Sequence, residues 1–302
     1  MRGASCTALG IVLLASQALL CTSYPLEPPA EKECLEYLRK YQPISDAALP
    51  LNYLQENIEL ALAARSVSSW AQDVPWPVFL NYVLPYASVD EPRDNWRCLF
   101  FQRFLPLIQD ARSLSEAALI LNKNIWSIWD IVFKPNQTPE IMSPFQVIRA
   151  GHASCTGLSI FLVNALRSVG IPARMAGTPE WNIETGGNHD WVEVLTESGV
   201  WSFTGAAEYT EQGFNHTWFV PDPAQHSLPG SRRHAIYAVS WADGEGTVSY
   251  PLIWHDDDNY TVSAYDVTDY YLEAARKHAD ARLALPVVRL NGLPASKSIG
   301  TQ

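Results

Sequence analysis

The chain has 302 residues, 47% apolar and 18% charged, with 21 basic residues against 32 acidic ones and a formal net charge of −11. That length and apolar content suit a folded protein of one large domain or two modest ones, not a disordered chain. The acidic balance repels phosphate backbones and anionic lipid, which excludes nucleic acid as a partner.

The chain opens on a targeting pattern. Arg2 supplies a positive start, Ala8 to Leu20 carries no charge, and small residues follow at Thr22 and Ser23. This order predicts a signal peptide over residues 1–23, cleaved near Ser23. Its apolar run is shorter than the ~20 residues of a membrane span. An uncleaved anchor is the rival reading, and Leu-Leu-Cys21 lacks the small residue that lipidation of Cys21 requires. No later stretch is long and apolar enough to cross a bilayer, so the mature chain is expected to be secreted or lumenal, with no membrane after signal cleavage. Sequons at Asn136, Asn215 and Asn259 agree with that route, although Pro139 stands directly after the first.

Signal removal leaves Cys34, Cys98 and Cys155. In an oxidising compartment an odd count leaves one thiol over. Two readings fit: a Cys34–Cys98 disulfide with Cys155 free, or three buried, unpaired thiols.

Helices are expected over Glu31–Tyr41 and Leu51–Ser66, with Ser45 and Asp46 as caps between them. Prolines bound Val74–Tyr86, so any helix there is short. Amphipathic stretches run from Trp96 to about Asp110 and from Ser113 or Ser115 to Trp129. Cys155–Val169 then reads as one helix, apolar at Leu158, Phe161, Leu162, Ala165, Leu166 and Val169, and ended by Gly170 and Pro172. Ile171–Ala176 follows as a strand. A Gly-rich loop, Thr185–Asn188, leads into a strand over His189–Leu195, paired through Glu197–Gly199 with Val200–Thr204. Short strands are expected at His234–Trp241, Val248–Trp254 and Thr261–Val267, and a helix at Asp269–Leu285.

Two residues in this pattern carry chemistry. A free thiol has a pKa near 8.5, so only ~3% is thiolate at pH 7; a helix N-terminus and a nearby imidazolium both lower that value. Cys155 stands where the helical periodicity starts, behind the small residues Gly151, Ala153 and Ser154. Ser154 is a candidate cap, and the Cys155 N–H is placed to meet a developing oxyanion. His189 opens a strand behind two glycines. A base on a strand facing a nucleophile on a helix is the arrangement of thiol proteases.

Gly-His-Ala-Ser-Cys155-Thr-Gly-Leu-Ser, Leu166-Arg-Ser-Val-Gly-Ile-Pro-Ala-Arg174 and Asn188-His-Asp-Trp-Val-Glu-Val194 together resemble the transglutaminase-like superfamily. The resemblance is specific over residues 150–208 and extends to Phe79–Tyr86 and Asp90–Arg97, which are similar to a front region of some secreted bacterial members. It implies an α+β, papain-like core in which a nucleophile helix packs on an antiparallel sheet, preceded by a helical N-terminal region. The implied divisions are 24–145 for that region, 146–285 for the catalytic core and 286–302 for a flexible tail. It also implies a Cys155–His189 pair completed by an Asp on the next strand. Here the chain departs: aligning Trp201–Glu208 with the family pattern puts Gly205 where the Asp is usual. Without an orienting acceptor a catalytic His loses tautomer control. Glu208 is the candidate substitute. Asp190 leaves the strand on the face opposite His189, and a backbone carbonyl or an Asn are further alternatives.

Bland readings stand beside these. His152 with His189 suggests zinc, but no second Cys or carboxylate completes a ligand set, so no metal and no cofactor are expected. Trp191 reads as core packing, as do Trp126 and Trp129, although the latter two are also placed to border the cleft. Glu193 reads as a partner for Arg174, and Asp256–Asp258 as a solvated turn with calcium as the rival. The expected activity is acyl transfer or amide hydrolysis through a Cys155 thioester, on a protein or peptide substrate. A cysteine peptidase or peptide N-glycanase-like hydrolase, and an inactive binding module that keeps the fold, are the alternatives. The sequence does not specify oligomeric state.

Overall fold

The structure, a computed structural model, describes residues 28–251 and 261–283. The signal segment, the Asn259 sequon, the Asp256–Asp258 turn and the expected tail lie outside the described residues.

The front of the chain is helical: α1 (Pro28–Tyr41), α2 (Leu51–Ser66), the short α3 (Ser69–Gln72) and α4 (Trp76–Tyr82), α5 (Trp96–Phe104) and α6 (Leu114–Asn124). Next come β1 (Val132–Phe133), α7 (Pro144–Ala150), β2 (His152–Ala153) and α8 (Cys155–Ser168). The remainder holds β3 (Ala173–Thr178), β4 (His189–Leu195), β5 (Trp201–Thr204), β6 (Tyr237–Val239), β7 (Thr247–Pro251), β8 (Thr261–Asp266) and α9 (Thr268–Leu283). Six strands form one antiparallel sheet in the order β5-β4-β3-β6-β8-β7, while β1 and β2 make a separate parallel pair. This is the expected α+β, papain-like arrangement.

Local chemistry explains most boundaries. α6 starts at Ser113, whose side chain accepts from the Glu116 N–H. The stretch expected to be helical from Trp96 to about Asp110 changes at Leu105 to a tighter turn over Leu105–Ile108, because Pro106 has no N–H to donate. Ser45 and Asp46 do not act as caps. They lie inside a 3-10 turn, and the buried Asp46 carboxylate instead accepts from Tyr86 (2.9 Å) and Arg93 (2.8 Å). α7 was not expected, although its signal is in the sequence: Ser143 and Gln146 form a capping box with Pro144 in the first turn.

α8 is buried from Thr156 to Ser168, against β3 and β4 on one side and α5, α6 and α7 on the other. The front helices are therefore continuous with the site. Leu38, Leu54, Phe100, Phe104, Leu121 and Phe161 belong to one apolar cluster. Trp126 and Trp129 pack on Phe161 at 5.7 and 6.0 Å, as helix-packing residues. Buried aromatic and aliphatic side chains each contribute ~1.5–3 kcal/mol, so this cluster fixes where α8 begins. A second cluster, including Trp191, Phe203, Phe219 and Tyr271, covers the opposite face of the sheet.

The cysteine pairing differs from both readings of the sequence. Cys34 is a buried free thiol, whereas Cys98 is disulfide-bonded, so neither a Cys34–Cys98 bridge nor three unpaired thiols describes the protein. Cys155 is free.

Candidate active site

The site forms where β5 leaves β4. β5 pairs only with Val192 to Leu195, so the opening residues of β4 have no neighbour on that edge. Cys155 is the first residue of α8 and is partly exposed. Ser154 occupies the cap position without a side-chain cap bond; its backbone N–H donates to Gln137 Oε1 at 2.5 Å instead.

Strand alternation sorts β4 onto two faces. Asp190, Val192 and Val194 face α8: Thr156 Oγ1 donates to Asp190 Oδ2 (2.6 Å), and both valines join the main core. His189, Trp191 and Glu193 face the second cluster. Glu193 Oε2 accepts from Arg174 Nε at 2.7 Å, the partnership expected for it, and Glu193 Oε1 accepts from the Tyr271 hydroxyl at 2.7 Å. Trp191 is fully buried and packs 4.4 Å from Phe219, centroid to centroid. The His189 ring is 6% exposed, enclosed by Trp191, Trp218 and Phe219 at 5.7, 4.9 and 5.2 Å.

Glu208 reaches this ring. Its Oε1 lies 4.0 Å from His189 Nε2 and accepts from Trp218 Nε1 at 3.2 Å. Among the described residues, His189 Nε2 and Glu208 Oε2 are both buried without a hydrogen-bond partner. A turn closed by Glu208 N–H to Gly205 C=O (3.2 Å) folds the side chain back, so that a Cβ on Gly205 would overlap the Glu208 carboxyl. Asn122 on α6 pins this turn from below. It donates to Thr204 Oγ1 (3.0 Å) and Gly205 O (2.9 Å) and accepts from the Ala207 N–H (3.0 Å). Sequence reasoning missed Asn122, whose only signal was a polar residue on the buried face of an amphipathic helix. A cavity of about 480 Å³ adjoins Glu208, with His216, His278 and the 57%-exposed Trp218 in its wall.

Among the described residues no hydrogen bond joins Cys155 to His189. Hydrogen bonding from Asp190 and Thr156 favours the ionised form of the Cys155 thiol. Burial outweighs it and, with the Asp190 carboxylate, pushes Cys155 up to about 12. Burial alone drives His189 down to about 3. The thiolate and imidazolium anticipated from the helix N-terminus are thus replaced by a neutral thiol and a neutral imidazole. Burial also raises Asp190 to about 7, against the Thr156 and Tyr250 hydroxyls, and raises Glu208 against the Trp218 N–H.

Elsewhere, His152 Nδ1 faces the Ala150 carbonyl at 2.9 Å. Among the described residues no three His, Cys, Asp or Glu side chains are grouped to hold a metal, and no helix is long and apolar enough to cross a membrane.

Residues 106–205 match the family model of the transglutaminase-like superfamily, ending at the glycine over which Glu208 folds. No curated protein matches the chain. Among solved structures it is similar to a "Putative Cysteine Protease" from Cytophaga hutchinsonii, with 12% identity and a TM-score of 0.33, over 59% of this chain and 50% of that one. The chain thus spans about half the length of that protein.

Proposed function

We propose that the chain, whose residues 106–205 match the family model of the transglutaminase-like superfamily, is a thiol-dependent enzyme of acyl transfer at amide or peptide carbonyls. The observation that carries this reading is the Glu208 carboxyl, which fills the side-chain space of Gly205 and faces His189 Nε2 at 4.0 Å. A closure of about 1 Å brings the two atoms within hydrogen-bond range. Glu208 then fixes the tautomer of His189 and stabilises the imidazolium when it forms.

At rest the His189 ring lies on the β4 face turned away from α8, so the reaction requires it to swing past the strand edge that β5 leaves open. There it takes the Cys155 proton as sulfur attacks the carbonyl carbon, and the free N–H groups at the start of α8 meet the oxyanion. The tetrahedral species collapses with loss of the C–N bond. His189 gives its proton to the departing nitrogen, which leaves as ammonia or an amine, and a Cys155 thioester remains. A second amine or a water then releases the acyl group. Both resting partners are neutral, so the proton moves only when substrate dries the site and stabilises the charge that develops. Substrates are proteins or peptides.

The test incubates the protein with a fluorescent primary amine and a glutamine-rich protein. Covalent incorporation that Cys155→Ala abolishes supports transfer, and Cys155-dependent ammonia or peptide release without incorporation makes the enzyme a hydrolase. No turnover of either kind with any substrate offered, from a protein whose His189→Ala variant labels identically with iodoacetamide, overturns catalysis in favour of a binding module.

A further inference from the structure

On the face of β4 turned away from His189, a second carboxyl lies against the nucleophile. Asp190 is 1% exposed, and its Oδ2 and Oδ1 accept from Thr156 Oγ1 (2.6 Å) and the Tyr250 hydroxyl (3.2 Å). Among the described residues these two hydroxyls are the groups that act on it, and neither is a cation. The sheet is shaped around it. Asp190 pairs with Gly177 of β3, where a Cβ would overlap Asp190 Oδ1 and approach the Tyr250 hydroxyl to 2.8 Å. Burying a carboxyl without a counter-ion is costly, and packing alone would be met by an apolar side chain or an amide. What distinguishes the position is its neighbour: Thr156, which donates to Asp190 at 2.6 Å, directly follows Cys155, so carboxyl and thiol share the first turn of α8.

We infer that Asp190 is a positioning residue that governs the charge of Cys155, because carboxylate and thiolate compete for a single negative charge in one buried site. This rests on Cys155 being the reacting thiol. The titratable groups facing Asp190 are Cys155 from α8 and Tyr250 from β7, with the Tyr237 ring of β6 packed 5.1 Å from Tyr250. Burial raises both phenols, so they stay protonated through the neutral range, and His189 projects to the other face.

The competition has a distinct pH signature. Below about pH 7 the carboxyl holds its proton, and each unit of rising pH multiplies the thiolate tenfold. Above it the site already carries one charge, divided between oxygen and sulfur in a ratio independent of pH. The thiolate fraction levels off there and rises again only as pH approaches about 12, where the second charge is forced in.

The experiment measures the alkylation rate of Cys155 by iodoacetamide in the full chain from pH 5.5 to 10. The modified peptide is identified by mass spectrometry, because Cys34 is also a free thiol. The wild-type rate should break near pH 7 and flatten. Asp190→Asn keeps an acceptor for one hydroxyl and turns an amide donor to the other but removes the charge, so its rate should climb through the break and exceed wild type about tenfold one unit beyond it. Tyr250→Phe removes a donor to the carboxylate and should move the break to higher pH, which tests the inference even if Asp190→Asn fails to fold. A wild-type profile without a break overturns it, as does an Asp190→Asn profile that only scales the wild-type curve. The readout is the thiol alone, so a failure to find amide turnover would sink the acyl-transfer reading and leave this result standing.

Discussion

The Glu208 carboxyl occupies the volume that a side chain at Gly205 would fill, and from there it faces Nε2 of His189 at 4.0 Å. The acid we propose as the third member stands three residues along the chain and is folded back over Gly205 by a turn. Glu208→Ala is expected to lower kcat by about 10²–10⁴, with KM little changed, because ring orientation is lost and not substrate contact. Gly205→Asp alone should be destabilising, since its Cβ overlaps Glu208. The double variant Gly205→Asp, Glu208→Ala should regain at least about tenfold over Glu208→Ala; a double variant as inactive as the single would remove Glu208 from the mechanism.

Asn122 holds that turn with three hydrogen bonds. Asn122→Ala leaves buried backbone groups unsatisfied and should cost ~1–3 kcal/mol in urea unfolding. Activity should fall with it, because the turn that aims Glu208 loosens. Full activity in a destabilised Asn122→Ala protein would show that the turn does not aim the acid.

His189 sets an acid limit on stability. Its folded pKa, about 3, lies below the ordinary value near 6.5, so the fold keeps the ring neutral while the unfolded chain protonates it. The stabilisation is complete above about 6.5 and is lost as pH falls toward 3. At pH 5 the loss is about 2 kcal/mol. His189→Gln should lose that much less than wild type between pH 7 and pH 5, read from urea midpoints at both. Parallel pH dependences would contradict the buried, neutral ring.

The Arg174–Glu193 pair is buried beneath the site and bonded further to Tyr271. Glu193→Gln leaves the Arg174 charge without its counter-ion and should cost ~3–5 kcal/mol, seen as a large fall in Tm. A change below about 1 kcal/mol would mean the guanidinium finds water or another acceptor.

Cys34 is buried and free, with its thiol pushed up to about 12 by burial first and then by Glu33 and Glu31. Cys155 has an equally raised thiol but is partly exposed, so under native conditions the fully buried Cys34 should resist iodoacetamide while Cys155 reacts; Cys34→Ala should leave the Cys98 disulfide intact by mass spectrometry. Release of a Cys98 thiol in that variant would restore the Cys34–Cys98 bridge.

Much of the scaffold is legible in the sequence. The bounds of α2 and β4 coincide with those expected from periodicity, and α8 with its expectation to within one residue, because the breakers that end these elements (Pro50, Gly170, Pro172 and the Gly186–Gly187 pair) lie next to them in the chain. The same alternation placed Glu193 and His189 on one strand face and Asp190 on the other. Caps failed where a polar side chain had a distant partner, as Asp46 has in Tyr86 and Arg93.

Read alone, the chain shows that Cys155 opens a helix, that His189 opens a strand, and that Gly205 stands where the related pattern has an acid. Only the packed structure shows that Glu208 folds over Gly205 beside His189, that Asn122 on α6 holds this turn, and that burial keeps Cys155 and His189 neutral. Periodicity and breakers act over one or two turns of chain, whereas desolvation and the meeting of residues 122 and 205 or 190 and 250 depend on how the whole chain packs.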